Sequence, residues 1–213
     1  MTILLSSANT TVTTRWTEHL RGHYKTRKAK SLTEVKKLCV TGRYELILLH
    51  RMLIDIPAFS ELYKLSPASG FFLLSDRPDE KEALIFLKLG ILGYGNTYMS
   101  SPRLLEALRV VLNGGVWLGQ KVIQRLIADT ATGSTKVSDD KDIALLEMAK
   151  LTKAERQIAE LVARGESNLS IAADLNITER TVKAHLTSIY SKTKTGNRLN
   201  LALLINLGKS PQE

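Results

Sequence analysis

The sequence predicts an α/β protein in two parts: a doubly wound, five-stranded parallel sheet followed by an all-α unit. Three observations carry this. Short apolar runs at Thr2-Ile-Leu-Leu-Ser6, Leu46-Ile-Leu-Leu49 and Gly70-Phe-Phe-Leu-Leu74 alternate with segments of helical period, the pattern of strands covered on both faces by crossover helices. The stretch from Asp129 to Lys141 is small and polar with no apolar period, the composition of a mobile linker. Beyond it the apolar period is helical throughout, punctuated by helix start and stop signals.

In the first part, helical patterns are expected near Thr11 to Tyr24, Leu32 to Thr41, Phe59 to Lys64 and Glu80 to Leu89. Another runs from Pro102 to Asn113, with proline in its first turn. The two remaining strands are weak, one near Lys28 to Ser31 and a poor edge strand at Gly93 to Thr97. Gly119 to Ile127 continues as a helix, and Asp142 to Met148 begins the helix leading into Leu151. The expected boundaries are residues 1–118 for the sheet domain, 119–147 for a helical and flexible linker, and 148–213 for the C-terminal domain.

Leu151 to Arg198 is the most informative stretch. Thr152 followed by Glu155 is a capping box, so a helix begins near Lys153. Ile158, Leu161 and Val162 form its apolar stripe, and Gly165 supplies a left-handed stop. Ser167 caps a second short helix that presents Ile171, Ala172 and Leu175 and stops at Asn176. Thr178 caps a third, from Glu179 to about Thr193, with Val182, Leu186 and Ile189 inward and Arg180, Lys183, Ala184, Thr187 and Ser191 opposite. Two helices across a short turn, the second with a basic face and one small residue at its centre, have helix-turn-helix geometry. Ala184 lets such a helix approach a major groove, Lys183 can reach a guanine edge or a phosphate, and Thr187 can bond a base or touch a thymine methyl. An ordinary three-helix bundle with a solvated basic face fits the same spacing.

The run from Leu151 to Arg198 closely resembles the LuxR/FixJ-type DNA-binding domain. The resemblance rests on Leu151, Thr152, Glu155, Gly165, Ser167, Asn168, Ile171, Ala172, Thr181, Val182, Lys183, His185, Lys192 and Arg198, and covers about a quarter of the chain. It implies that the helix bearing Thr181-Val-Lys183 enters the major groove of double-stranded DNA. Lys183, Ala184 and Thr187 would then face bases, with Asn168, Arg180, Thr181 and Lys192 near the backbone. Thr193-Lys194-Thr195 departs from the family's usual Leu-Gly-Val and is expected to alter packing at the helix end. The final segment, Asn197 to Gly208, holds more leucines than one inward stripe can bury. In the family this helix makes the dimer contact, which would place Leu199, Leu203 and Leu207 at a homodimer seam.

The first part is similar, more loosely, to a response-regulator receiver, on its strand spacing, Gly90, Gly93-Tyr94 and the Gly114-Gly115-Val-Trp117-Leu118 exit. A receiver needs acidic residues after strand one, an aspartate after strand three, Ser/Thr after strand four and lysine after strand five. Here those places hold Ser6-Ser7, His50, Ser75, and Thr97 or Tyr98; Ser75 alone fits. Without carboxylates there is no oxygen cage for Mg²⁺, and the resemblance implies a pseudo-receiver not competent for aspartyl phosphorylation. His50 reads as a hydrogen-bonded strand-end histidine, and Asp55 and Asp76 as loop carboxylates. Some members of the family hold cyclic dinucleotides through Trp-x-Thr/Ser-Arg after the last receiver helix. Trp117-Leu118-Gly119-Gln120 keeps the tryptophan and lacks the arginine that would hold phosphate.

The formal charge of +9 favours a polyanionic partner. From Ala149 on there are 10 Lys/Arg and 6 Asp/Glu, so +5 of the total belongs to the preceding residues. Much of that excess lies in Arg21 to Lys30, read as a solvated helix end and loop. No apolar run is long enough to span a membrane, and the expected location is cytoplasmic. The single Cys39 excludes an internal disulfide and a cysteine-built zinc site. No metal site, cofactor or catalytic constellation is expected, and the chain does not read as an enzyme. The expected function is therefore a dimeric, sequence-specific transcription regulator, with a small-molecule or protein signal at the pseudo-receiver. The alternative is an antagonist that pairs with other regulators and binds DNA weakly.

Overall fold

A computed structural model describes residues 1–131 and 144–208. The chain divides into two compact units, Met1–Ile123 and Gln124–Glu213.

The first unit is built on β1 (Thr2–Ser6), β2 (Lys25–Ala29), β3 (Leu46–His50), β4 (Gly70–Ser75) and β5 (Gly93–Asn96), all parallel in the order β2-β1-β3-β4-β5. Its helices are α1 (Thr10–Leu20), α2 (Leu32–Thr41), α3 (Ile56–Leu65), α4 (Glu80–Lys88) and α5 (Ser101–Leu112). A single 3₁₀ turn, Arg51–Leu53, follows β3. The central strands β1, β3 and β4 are buried almost end to end, because helices cover both faces. On one face Ile3, Leu5, Leu46, Leu48, Phe72 and Leu74 pack with Val12, Trp16 and Leu20 of α1 and Leu104, Leu108 and Val111 of α5. On the other, Phe59 of α3 meets Phe71 of β4 and Phe86 of α4 edge to face, with ring centroids 5.3 and 5.5 Å apart. Gly93 opens β5 where a Cβ would lie 2.4 Å from the Phe72 ring, so only glycine lets the edge strand close on β4. Trp117 extends this edge: its N–H donates to the Leu92 carbonyl and its own carbonyl accepts from Tyr94.

Several boundaries differ from expectation. The weak second strand lies at Lys25–Ala29, three residues earlier than expected, so the second half of Arg21 to Lys30 is an edge strand, while residues 21–24 are the solvated helix end and turn. Backbone pairing to β1 sets that strand, and only Ala29 among its side chains is buried, so apolar content gave little signal. Helix α1 stops at Leu20, ahead of the turn containing Gly22 at φ +81°. Helix α3 starts three residues earlier than its apolar period implied, because the Asp55 carboxylate accepts from the Ala58 N–H and Pro57 sits in the first turn. Asp55 is thus a cap.

After α5, helix α6 (Gln120–Ala131) runs past Ile127 into the stretch expected as linker. The remainder of that expected linker, residues 132–143, lies outside the described residues. The second unit contains residues 144–149, which are helical, then α7 (Lys153–Ala163), α8 (Asn168–Asp174), α9 (Glu179–Thr193) and α10 (Arg198–Gly208). Its core joins Leu151, Ile158, Ala159 and Val162 to Ile171, Ala172, Val182, Leu186, Ile189, Leu201 and Ile205. Among the described residues no helix is long and apolar enough to cross a membrane.

Candidate nucleic-acid interface

The start and stop signals of the second unit act as their chemistry requires. Thr152 Oγ1 accepts from the Glu155 N–H while the Glu155 carboxylate accepts from the Thr152 N–H, closing the capping box. Gly165 at φ +89° ends α7, Ser167 caps α8, Asn176 at φ +53° ends the following turn, and Thr178 caps α9. Helix α9 buries Val182, Leu186 and Ile189 and leaves Arg180, Ala184 and Ser191 exposed, with Lys183 and Thr187 half-buried between the two faces. The exposed side is therefore cationic, with a small residue at its centre. Lys183 Nζ lies 2.8 Å from Glu179 one turn earlier. The Thr187 hydroxyl donates to the Lys183 carbonyl, and the hydroxyls of Thr181 and Thr178 are 2.8 Å apart. None of these contacts buries its side chain, so each can exchange its partner for a ligand.

Two residues expected beside a DNA backbone also hold partners within the fold. Lys192 Nζ is 2.8 and 2.7 Å from the two carboxylate oxygens of Glu155, which also accepts from Ser188 at 2.7 Å. Burial of Glu155 opposes its ionisation, but the hydrogen bonds from Lys192, Thr152 and Ser188 outweigh it and bring the carboxyl down to about 2. The side chain that starts α7 thus also grips α9 from a distance of 37 residues in sequence. Asn168 is buried, its Oδ1 accepting from Arg198, whose guanidinium also donates to the Glu166 carbonyl. Arg198 thereby fastens the start of α10 to the turn before α8. Sequence reasoning assigned Lys192 and Asn168 by position; the long-range partners that occupy them leave no local signal.

The departure at Thr193-Lys194-Thr195 is accommodated. Thr193 and Thr195 are buried with their hydroxyls 3.0 Å apart, and Lys194 takes the left-handed conformation at φ +55° that ends α9. In α10, Leu201 and Ile205 enter the core while Leu199 and Leu203 remain half-exposed. The side chain of Leu207 lies outside the described residues.

In the first unit, Ser6, Ser7, His50, Ser75 and Thr97 gather at the carboxyl ends of β1, β3, β4 and β5, all buried. His50 Nδ1 lies 2.9 Å from Ser7 Oγ and its Nε2 3.0 Å from Asp76 Oδ1, and Trp16 packs edge-on against its ring. The Trp16 indole N–H donates to the Thr97 carbonyl. Burial would raise the Asp76 carboxyl, but the hydrogen bond with His50 prevails and holds it below its usual range. Asp76 is therefore a partner of His50, beyond its expected place in a loop. Hydroxyl, imidazole and carboxylate in a row have the composition of a nucleophilic triad, yet Ser7 is 0% exposed and cannot meet a substrate. The row ties three strand ends together. Among the described residues no three His, Cys, Asp or Glu side chains gather to hold a metal.

Residues 149–205 match the family described as "Bacterial regulatory proteins, luxR family". Over 174 residues the chain is 30% identical to the glycerol metabolism activator of Pseudomonas putida, covering 78% of this chain and 76% of that protein. The chain belongs to the luxR family. It is 30% identical over 150 residues to the transcriptional regulatory protein DegU of Brevibacillus brevis, covering 67% of this chain and 64% of the relative. In fold it is similar to the two-component response regulator RcsB in a structure with DNA, with a TM-score of 0.52 at 15% identity, over 98% of this chain and 99% of that one. As a member of the family it is a DNA-binding transcription regulator of the response-regulator type, with a receiver-like sheet unit ahead of its helix-turn-helix.

Proposed function

We propose that α9 is the recognition helix of a dimeric, sequence-specific regulator. The observation that carries the reading is the division of α9 into a buried apolar stripe and an accessible face of Arg180, Lys183, Ala184 and Thr187. Docked in a major groove, Ala184 lets the helix approach while Lys183 and Thr187 reach base edges, and Arg180 and Thr181 meet phosphates at the helix start. Two half-exposed leucines on α10, Leu199 and Leu203, are apolar surface suited to a twofold seam, which would set the spacing of two half-sites. The related RcsB structure is itself a complex with DNA, which supports this use of the fold. Residues 1–118 serve as the pseudo-receiver and 148–213 as the DNA-binding domain, joined through 119–147.

The sheet unit acts without aspartyl phosphorylation. Mg²⁺ takes carboxylate and phosphate oxygens in near-octahedral geometry, and Ser6, Ser7 and His50 do not fit it. Asp76, a carboxylate beside this pocket, is already committed to His50. Its input is a protein or small-molecule signal, or dimerisation alone. Selection of bound sequences by the full chain from a randomised duplex pool tests the reading. It should return two related half-sites separated by a multiple of about one helical turn. A pool with no enriched sequence would favour the antagonist that pairs with other regulators instead.

A further inference from the structure

The sheet unit carries a second concentration of positive charge that the recognition helix does not use. Arg21, Lys25, Arg27, Lys28 and Lys30 are all exposed, and there is no acidic residue from Arg21 to Lys30. They lie along β2 and its flanks, and β2 is an edge strand, paired to β1 on one side only. Among the described residues none of the five enters an ion pair; of the acids beside β2, Glu34 accepts from the Lys30 backbone N–H and Glu45 from the Thr2 N–H. Successive side chains of a strand point to opposite faces, so Lys25 and Arg27, roughly 6.6 Å apart, stand on one face and Lys28 on the other, and together they flank the open backbone edge of β2. An unneutralised strip of cations flanking an extended edge suits a ligand that is itself a row of anions. Duplex DNA carries about one charge per 1.7 Å of axis, and neutralising its phosphates releases condensed counterions.

We propose that the β2 edge is a sequence-independent contact for the phosphate backbone of duplex DNA, adding affinity without specificity to the contact made by α9. This rests on the DNA-binding reading of the second unit. Because both units belong to one chain, binding by α9 raises the local concentration of phosphate available to the sheet unit.

The test uses the full chain and two duplexes, one carrying the selected site and one scrambled, titrated over a series of salt concentrations. In a Lys25→Gln/Arg27→Gln/Lys28→Gln variant the slope of log K against log salt should shrink by about two to three units on both duplexes, while the preference between them stays the same. Charge-preserving Lys25→Arg/Arg27→Lys/Lys28→Arg should keep the wild-type slope, separating loss of charge from disturbance of the strand. Lys183→Ala is the converse control: it should reduce the preference between duplexes and keep the contribution of β2. An unchanged slope in the Gln variant overturns the proposal. The cations then guard an open sheet edge against pairing with other strands, and the variant should self-associate as concentration rises. Absence of binding by wild type on either duplex overturns both this proposal and the reading of α9.

Discussion

Glu155→Gln probes the joint between the helix that starts the second unit and the helix proposed to read DNA. The substitution keeps the shape of the side chain and removes its charge, leaving Lys192 without a counter-ion. The wild-type carboxyl is brought down to about 2 from the ordinary glutamate range by Lys192, Thr152 and Ser188 acting against burial. Such a depression is worth on the order of 3 kcal/mol at neutral pH. Lys192 is about a third exposed, so water screens its share, and about 1.5 to 3 kcal/mol is expected to be lost. For a unit of this size that corresponds to a fall in Tm of roughly 6 to 24 °C. Because the folded carboxyl lies below its unfolded value, the stabilisation is complete above about pH 4.5 and fades as pH falls toward 2. The gap between wild type and variant must narrow over that window. Both tryptophans, Trp16 and Trp117, lie in the first unit. Their fluorescence therefore follows the sheet unit, and helical circular dichroism reports the additional loss of the second. A Tm shift below about 2 °C, or a difference independent of pH between 2 and 7, would refute the reasoning.

Other outcomes follow from the same geometry. Incubation with acetyl phosphate and Mg²⁺ should add no mass to the chain and leave DNA affinity unchanged; a stoichiometric Mg²⁺-dependent adduct overturns the pseudo-receiver proposal. His50→Gln removes a ring that joins Ser7 to Asp76, so the Asp76 carboxyl should titrate higher than in wild type by carboxyl-carbon NMR. An unmoved Asp76 would show that His50 is not what holds it down. Leu203→Glu should abolish cooperative binding to a two-half-site duplex and reduce hydrodynamic size; if both persist with the fold intact, α10 is not the seam.

What could be read from the sequence, and what could not, divides by range. The buried strands, the capping box at Thr152 and Glu155, and the left-handed stops at Gly165 and Asn176 are dictated within a few residues, and each appears where the local chemistry placed it. The exception among strands is β2, whose position comes from pairing with β1 and whose own side chains are almost all in water. The accessible face of α9 follows from helical period alone. Lys192 and Asn168 stand at positions the family resemblance assigns to DNA, yet a carboxylate 37 residues away and a guanidinium 30 residues away hold them. Likewise Asp76 reads as a loop carboxylate until the fold brings it to His50 across 26 residues.

The most direct test of the account is a pair of single substitutions on α9, each titrated on the selected site and on scrambled duplex across several salt concentrations. Lys183→Ala should cost about 1 to 3 kcal/mol on the selected site and relax the preference at one base position. Arg180→Ala should weaken binding equally on both duplexes and reduce the salt slope by roughly one unit. Unchanged affinity, preference and slope in both variants would contradict the claim that α9 docks on DNA.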